Sequence, residues 1–284
     1  SKTQKTEGLF RAFGQFVNSL NGKYITAEDV GTSVNDMEYI FMETPFVTGI
    51  PKDFGGSGDP SPYTAHGVYM GMKAAAKWQL GTDSLKGMRV AVQGLGNVGT
   101  NLVKYLIDEG AKVIVADIDN DKVKRHVDQF KVTSAPVDQI LFQECDILAP
   151  CALGAIVNDD SIRKLKCKVI AGGTNTILAE APHGDQLREL GVLYTPDYVI
   201  NAGGLMNVFV ELEGYSPDRA FEKTRRVYDN CTKVFEIAKR DGIGTHTAAD
   251  RMAEERINTI GRLKQRHQGR SSRNFTTLKE VTNR

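Results

Sequence analysis

The densest chemical signal in the chain is a glycine triplet, Gly94-Leu95-Gly96-Asn97-Val98-Gly99. It follows directly on the apolar run Arg89-Val90-Ala91-Val92-Gln93 and opens a stretch, Thr100 to Glu109, that reads as a helix. The next apolar run, Lys112-Val113-Ile114-Val115-Ala116, ends on an acid, Asp117. Strand, glycine turn, helix, strand and acid, in that order, form the fingerprint of a dinucleotide site. Gly94 permits the tight turn, Gly96 lets the backbone approach a pyrophosphate, and Gly99 lets the helix pack close to the strand. Asn97 and Val98 begin the helix, whose unpaired N–H groups and dipole attract phosphate. Asp117 can accept hydrogen bonds from the adenosine ribose. A 2′-phosphate would meet its carboxylate, so NAD is favoured over NADP, a preference softened by the nearby Lys122 and Lys124.

A second acid, Asp29, stands in Ile25-Thr26-Ala27-Glu28-Asp29-Val30-Gly31. A carboxylate can shuttle protons when its pKa lies near the working pH. Aspartate is also a common turn and helix-cap residue, and these residues alone leave both readings open. The other reactive side chains form no pattern. His66, His126, His183, His246 and His267 are scattered, without a defensible triad. Cys145, Cys151, Cys167 and Cys231 lack CxxC spacing, so no metal site is expected, and free thiols in a reducing cytoplasm are.

These residues need elements to hold them. Apolar residues recur at helical spacing from Gly8 to Leu20, and Asn21-Gly22 ends that helix. A short strand at Ile25 and a helix from Asp36 to Glu43 follow. Pro45 to Pro62 is irregular by composition, and a helix spans Thr64 to Leu80. Beyond the glycine turn, Lys122 to Phe130 reads as a helix. Asp146-Ile147-Leu148-Ala149-Pro150, Lys168-Val169-Ile170-Ala171 and Tyr198-Val199-Ile200 read as further strands. Alternating strands and helices predict a parallel sheet covered on both faces. After Asn201 only helical patterns remain, over Leu205–Leu212, Pro217–Lys239 and Ala248–Leu263.

Length and charge set the bounds. The 284 residues suggest two lobes. Lys and Arg total 36 against 35 Asp and Glu, too even a balance for a nucleic-acid binder working through a basic field. No apolar run approaches the ~18 residues of a membrane span, and no secretory leader is expected at the start. The basic stretch at Arg266, Arg270, Arg273, Lys279 and Arg284 reads as a solvated tail or an oligomer contact.

Three further segments carry a resemblance. Gly22-Lys23-Tyr24-Ile25-Thr26-Ala27-Glu28-Asp29-Val30-Gly31, Ala149-Pro150-Cys151-Ala152-Leu153-Gly154 and Asp197-Tyr198-Val199-Ile200-Asn201-Ala202-Gly203-Gly204 resemble the Glu/Leu/Phe/Val amino-acid dehydrogenase family, most closely its leucine-acting members. The resemblance implies reversible, NAD-dependent oxidative deamination of an L-amino acid, leucine with valine and isoleucine, to a 2-oxo acid and ammonia. The alternatives are a phenylalanine or tryptophan enzyme, or a non-catalytic NAD-binding module. It implies an α/β fold: a Rossmann-type parallel-sheet domain over residues 64–239, a truncated α/β substrate lobe over 1–63, and C-terminal helices over 240–284 returning to the first lobe. It implies a cytoplasmic homo-oligomer, octameric in the family, acting on a small molecule and on neither nucleic acid nor membrane.

Residue by residue, Asp29 matches the family's catalytic aspartate, with proton transfer as its role. Thr64 matches a threonine on the nicotinamide carboxamide, and its hydroxyl could also cap the following helix. Asn175 matches a residue facing the nicotinamide ribose, and Asn201 one near the substrate carboxylate and nicotinamide. Ala149 and Cys151 lie where adenosine ribose would sit, Cys151 as a wall rather than a nucleophile. Ala27, Cys231 and Val234 match substrate-pocket positions; plain core packing is the competing reading for Cys231 and Val234, three apart on one helix. The family's active-site lysines, in Gly-Gly-Gly-Lys followed by Asp-Pro, have no counterpart, and Lys2 and Lys5 stand in the wrong context. A fragment of an ordinary enzyme, a partner polypeptide supplying the lysines, and an inactive protein are the readings open, the first being expected.

Overall fold

The structure, a computed structural model, describes residues 5–266 other than Val30, with side chains as far as residue 261. The basic tail, His267 and Lys2 therefore lie outside the described side chains. The chain divides into two units. Among the described residues, one comprises those up to Pro60 together with Gly204–Lys223, and the other comprises Ser61–Gly203 with Thr224–Arg266. The segment grouped with the first unit is therefore 204–223, whereas the helices expected to return, from 240, group with the sheet.

In the first unit, helix α1 (Glu7–Ser19) is capped by Thr6 and buries Phe10, Gly14 and Val17. Gly14 lets it approach α2 (Val34–Phe41): a Cβ there would sit 2.9 Å from the Ile40 carbonyl oxygen. Helix α2 begins in a full capping box, Ser33 with Asp36. Strands β1 (Thr26–Ala27) and β2 (Val47–Thr48) pair in parallel, Ala27 opposite Thr48. β2 lies within the span expected to be irregular. A two-residue strand has no period to detect.

The second unit is built on a six-stranded, wholly parallel sheet of order β5-β4-β3-β6-β7-β8. Its strands are β3 (Arg89–Gln93), β4 (Lys112–Ala116), β5 (Thr133–Ser134), β6 (Ile147–Pro150), β7 (Val169–Ile170) and β8 (Leu193–Tyr194). Val90, Ala91 and Val92 are wholly buried, as a strand covered on both faces requires. The chain runs outward from β3 through β4 to β5, then restarts on the other side at β6. The β3/β6 junction is thus the switch point where such sheets bind ligands, beyond the carboxyl ends of the strands.

Helices α3 (Ser61–Leu80), α4 (Asn97–Asp108), α5 (Asn120–Phe130), α6 (Pro182–Glu189), α9 (Pro217–Asp241) and α10 (Thr245–Arg266) complete the series. Glu109, just beyond α4, ties α3 to it, accepting from Tyr69 Oη and Lys73 Nζ at 2.6 Å each and from the Leu85 N–H at 3.0 Å. Among the described residues no helix is long and apolar enough to cross a membrane.

Two local expectations are corrected. Tyr198-Val199-Ile200 is not a strand but part of a helical turn, α7 (Asp197–Ile200), and β8 is the last strand. The buried Asp197 enforces this by accepting the N–H groups of Ile177 and Tyr198 at 3.2 and 3.0 Å. Thr64 does not cap α3, because that helix already begins at Ser61. The remaining helix, α8 (Gly203–Glu211), follows α7 closely.

Candidate functional site

The glycine turn has the geometry its sequence predicts. Gly94 adopts φ +94°, and a Cβ there would lie 2.7 Å from Ala152 Cβ and 2.8 Å from the Cys151 carbonyl oxygen. Gly99 packs against the turn itself, since a Cβ would overlap the Gly94 oxygen and stand 3.0 Å from its carbonyl carbon. Gly96 is the N-cap of α4, with no side-chain cap bond, and no heavy atom lies within 4 Å of the Cβ it lacks. Backbone N–H groups at Asn97 and Val98 therefore open onto space a pyrophosphate can occupy.

Asp117 braces this turn from the end of β4. Its carboxylate accepts the Leu95 N–H at 2.6 Å and the Asp119 N–H at 2.9 Å. Burial alone would raise its pKa, but these two donors and the charges of Lys122 and His126 outweigh burial and hold it low. An ionised acceptor beside the glycine turn suits two ribose hydroxyls and opposes a phosphate.

The far wall comes from β6. Val92 pairs with Ala149 and Gln93 with Pro150, and the Cys151 N–H donates to the Gln93 carbonyl at 2.7 Å. Burial pushes the Cys151 thiol up to about 11, which suits a wall residue and not a nucleophile. Beyond β7, Gly172 lies against Pro150. A Cβ at Gly173 would stand 2.9 Å from Val98 Cγ1, 3.4 Å from Val68 Cγ2 and 3.8 Å from Cys151 Sγ. Sequence reasoning did not assign these two glycines a role, although a doubled glycine at a strand end is a visible signal for close approach.

Asn201 and Asn175, 26 residues apart, are brought together, Asn201 Nδ2 donating to Asn175 Oδ1 at 2.5 Å. Asn175 keeps its amide N–H groups, and one lone pair of that oxygen, for a ligand. Thr64 belongs to the same corner: Gly203, two residues past Asn201, would place a Cβ 3.2 Å from Thr64 Cα. Thr176, the residue after Asn175, sits at φ +57°. Glycine turn, Asp117, Ala149, Cys151, Asn175, Asn201 and Thr64 thus belong to one unit, around the carboxyl ends of β3, β4, β6 and β7.

The apolar trio is divided between the two units. Cys231 and Val234 are wholly buried in the sheet unit, and a Cβ at Gly71 would lie 3.3 Å from Cys231 Sγ and 2.8 Å from Ile200 Cδ1. Cys231 lies in α9 against α3 and α7, and Val234 is buried three residues further along α9. Ala27 lies in β1 of the other unit, half-buried.

Asp29 follows β1 and is exposed. Its carbonyl accepts the Thr32 N–H at 2.9 Å and the Thr32 hydroxyl at 2.8 Å, while its own N–H donates to Thr32 Oγ1 at 2.9 Å. The cap of the next helix falls to Ser33, so that role does not account for Asp29. Glu28 beside it is half-buried, and burial, then the charges of Asp59 and Asp29, raise its pKa.

Known proteins bear on this arrangement. The chain is 57% identical over 259 residues to a leucine dehydrogenase of Geobacillus stearothermophilus, covering 91% of this chain and 71% of that protein. It is 56% identical over 261 residues to a leucine dehydrogenase of Bacillus subtilis (strain 168), covering 92% and 72%. The crystal structure of L-tryptophan dehydrogenase from Nostoc punctiforme superposes with a TM-score of 0.79 at 42% identity, covering 91% of this chain and 74% of that one. The family model of glutamate/leucine/phenylalanine/valine dehydrogenases matches residues 55–262, from before α3 into α10. With the strand-end site above, these matches place the chain in the glutamate/leucine/phenylalanine/valine dehydrogenase family.

Proposed function

We propose that this protein oxidises a branched-chain L-amino acid, leucine first with valine and isoleucine, to its 2-oxo acid and ammonia, using NAD. The observation that carries the substrate class is the 57% identity to a leucine dehydrogenase across 91% of the chain. The preference for NAD over NADP rests on Asp117, whose ionised carboxylate stands beside the phosphate turn.

The residues fit the cofactor: the turn at Gly94, Gly96 and Gly99 would hold its pyrophosphate, Asp117 and the Ala149–Cys151 wall its adenosine ribose, and Thr64, Asn175 and Asn201 its nicotinamide end. When bound, NAD supplies a hydride acceptor for Cα. The chain's own task is proton movement. The substrate ammonium must lose a proton before Cα can give up hydride, which converts the C–N bond to C=N. Water then adds to that carbon and gives up a proton, the nitrogen takes one, and the C–N bond breaks as the carbonyl forms; with ammonium as the product one proton is released to solvent. Asp29 is the carboxylate assigned to these transfers at the substrate nitrogen. The neutral amide of Asn201 can donate to the substrate carboxylate without adding charge.

The test is absorbance at 340 nm on adding leucine and NAD to the natural protein. Turnover should appear, and Asp29→Asn should abolish nearly all of it while NAD binding persists. No turnover with any apolar amino acid leaves a non-catalytic NAD-binding module. A preference for phenylalanine or tryptophan in a substrate panel would move the assignment within the family, towards the relative of known structure. The four cysteines are free thiols, which suits a reducing cytoplasm, and the homo-oligomer implied by the family is read by light scattering.

A further inference from the structure

Glu211, the last residue of α8, carries a carboxylate that no sequence pattern singled out. It is only 3% exposed, yet its partners are main-chain groups: Oε2 accepts the Gly49 N–H at 2.9 Å and the Ser57 N–H at 2.7 Å. A buried carboxylate is costly unless it is well hydrogen-bonded, so its placement here constrains whatever it holds. What it holds is a ring. Residues 49 and 57 meet on one oxygen, and the intervening loop is closed by Gly58 N–H on the Ile50 carbonyl at 3.1 Å.

Gly49 is the residue after β2, and Ala27 pairs with Thr48, so Gly49 stands beside Glu28. The contact is close. At φ +77°, a Cβ on Gly49 would lie 3.0 Å from Glu28 Cβ and 3.3 Å from Glu28 N. Strands β1 and β2 have two residues each and too few ladder bonds to fix this end by themselves. Glu211 thus holds the amide of the residue that packs against Glu28, next to Asp29.

We infer that Glu211 is a positioning residue for Asp29, acting through Gly49 to fix the strand end that carries it. The inference rests on the reading of Asp29 as the proton carrier. It therefore separates from a purely structural role: displacing Asp29 slows proton transfer in bound substrate without weakening substrate binding.

The experiment compares Glu211→Gln and Asp29→Asn in the full natural chain. Glutamine keeps an oxygen for the two amides but loses the charge that strengthens both hydrogen bonds, and it puts an NH2 group in place of the other oxygen. Expected for Glu211→Gln is a kcat about 10- to 100-fold lower, with KM for leucine and Kd for NAD each within about threefold of wild type. Hydrogen exchange at the Gly49 and Ser57 amides should quicken. A Glu211→Gln kcat within about twofold of wild type, or a loss that falls on KM alone, overturns the inference when Asp29→Asn is inactive. An active Asp29→Asn instead overturns the reading of Asp29, whatever Glu211→Gln does. Should Glu211→Gln fail to fold, Glu211→Asp, which keeps the charge but withdraws it by one methylene, decides by the same criteria.

Discussion

Replacing Gly96 and Gly99 by alanine separates cofactor contact from folding, because the two glycines differ in what surrounds them. At Gly99 the added methyl would overlap the Gly94 oxygen, 3.0 Å from its carbonyl carbon and 3.4 Å from Cys151 Cβ. Carbon contacts settle near about 3.5–4.0 Å, so relieving the carbonyl-carbon contact alone takes roughly 0.5–1 Å, and the oxygen overlap takes more. Overpacking of this kind costs about 1–3 kcal/mol, which lowers Tm by about 2–12 °C in a chain of this size. At Gly96 nothing lies within 4 Å of the methyl, and φ is an ordinary −70°. Alanine is a poorer N-cap than glycine by up to about 1 kcal/mol, while the stiffer unfolded chain returns about 0.4–1 kcal/mol. The net change in stability is therefore within about 1 kcal/mol.

The cofactor reverses the ranking of stability. The Gly96 methyl occupies the open face through which a pyrophosphate reaches the N–H groups of α4. Losing one charge-assisted hydrogen bond there costs about 1.5–3 kcal/mol, a roughly 10- to 150-fold weaker Kd for NAD. Calorimetric melting and isothermal titration of both variants read the two quantities. Gly96→Ala should melt close to wild type yet bind NAD poorly. Wild-type NAD affinity in Gly96→Ala would show that the pyrophosphate does not lie on this turn, and the dinucleotide assignment would fall with it.

Asp117→Asn should weaken NAD binding and raise the NADP-to-NAD affinity ratio about tenfold, read by titrating both cofactors; an unchanged ratio removes Asp117 as the discriminator. Burial, then the Arg225 charge, holds the His66 pKa below the usual histidine value. Its folded-state pKa being the lower one, the stability it contributes is full above about pH 6.5 and is lost as pH falls through the folded value. Tm should therefore drop between pH 7 and pH 5, and the drop should shrink in His66→Gln, where the amide can still meet Thr224; equal slopes refute this. Burial pushes the thiols of Cys145 and Cys151 up to about 11 and that of Cys167 up to about 12. A thiol reagent at pH 8 should meet on the order of 100-fold less thiolate at Cys145 and Cys151, and on the order of 1000-fold less at Cys167, than on unfolded chain, and fast labelling of native protein would contradict their burial.

The proposed cofactor site was legible because its determinants are local. Gly94, Gly96, Gly99 and Asp117 fall within one strand-turn-helix-strand unit, where spacing dictates geometry. Apolar runs such as Val90-Ala91-Val92 announced strands for the same reason. Tyr198-Val199-Ile200 has equally strand-like residues, but Pro196 and the buried Asp197 start a helical turn there, and hydrogen bonds to Asp197 decide against propensity. Cys231 and Val234 show the limit of periodicity. Two apolar residues three apart must share a helix face, but whether that face meets a ligand or another helix depends on α3, which lies some 160 residues earlier.

Glu211 stands further along the same axis. Its partners Gly49 and Ser57 are 162 and 154 residues away, and nothing in Val208-Phe209-Val210-Glu211 marks the acid as buried. A carboxylate at the end of a helix is ordinarily solvated, and the first-pass expectation for such a residue is a surface charge. Only the contact with a positive-φ glycine next to Glu28 gives it a possible part in proton transfer. The sequence-distant half of the site is therefore where substitutions discriminate best. Gly96 reports on the cofactor, whereas Glu211 reports on whether a two-residue strand pair needs an outside brace to hold a working acid. If β1 and β2 suffice without it, hydrogen exchange at Gly49 will quicken in Glu211→Gln while kcat stays put, and the brace is structural only.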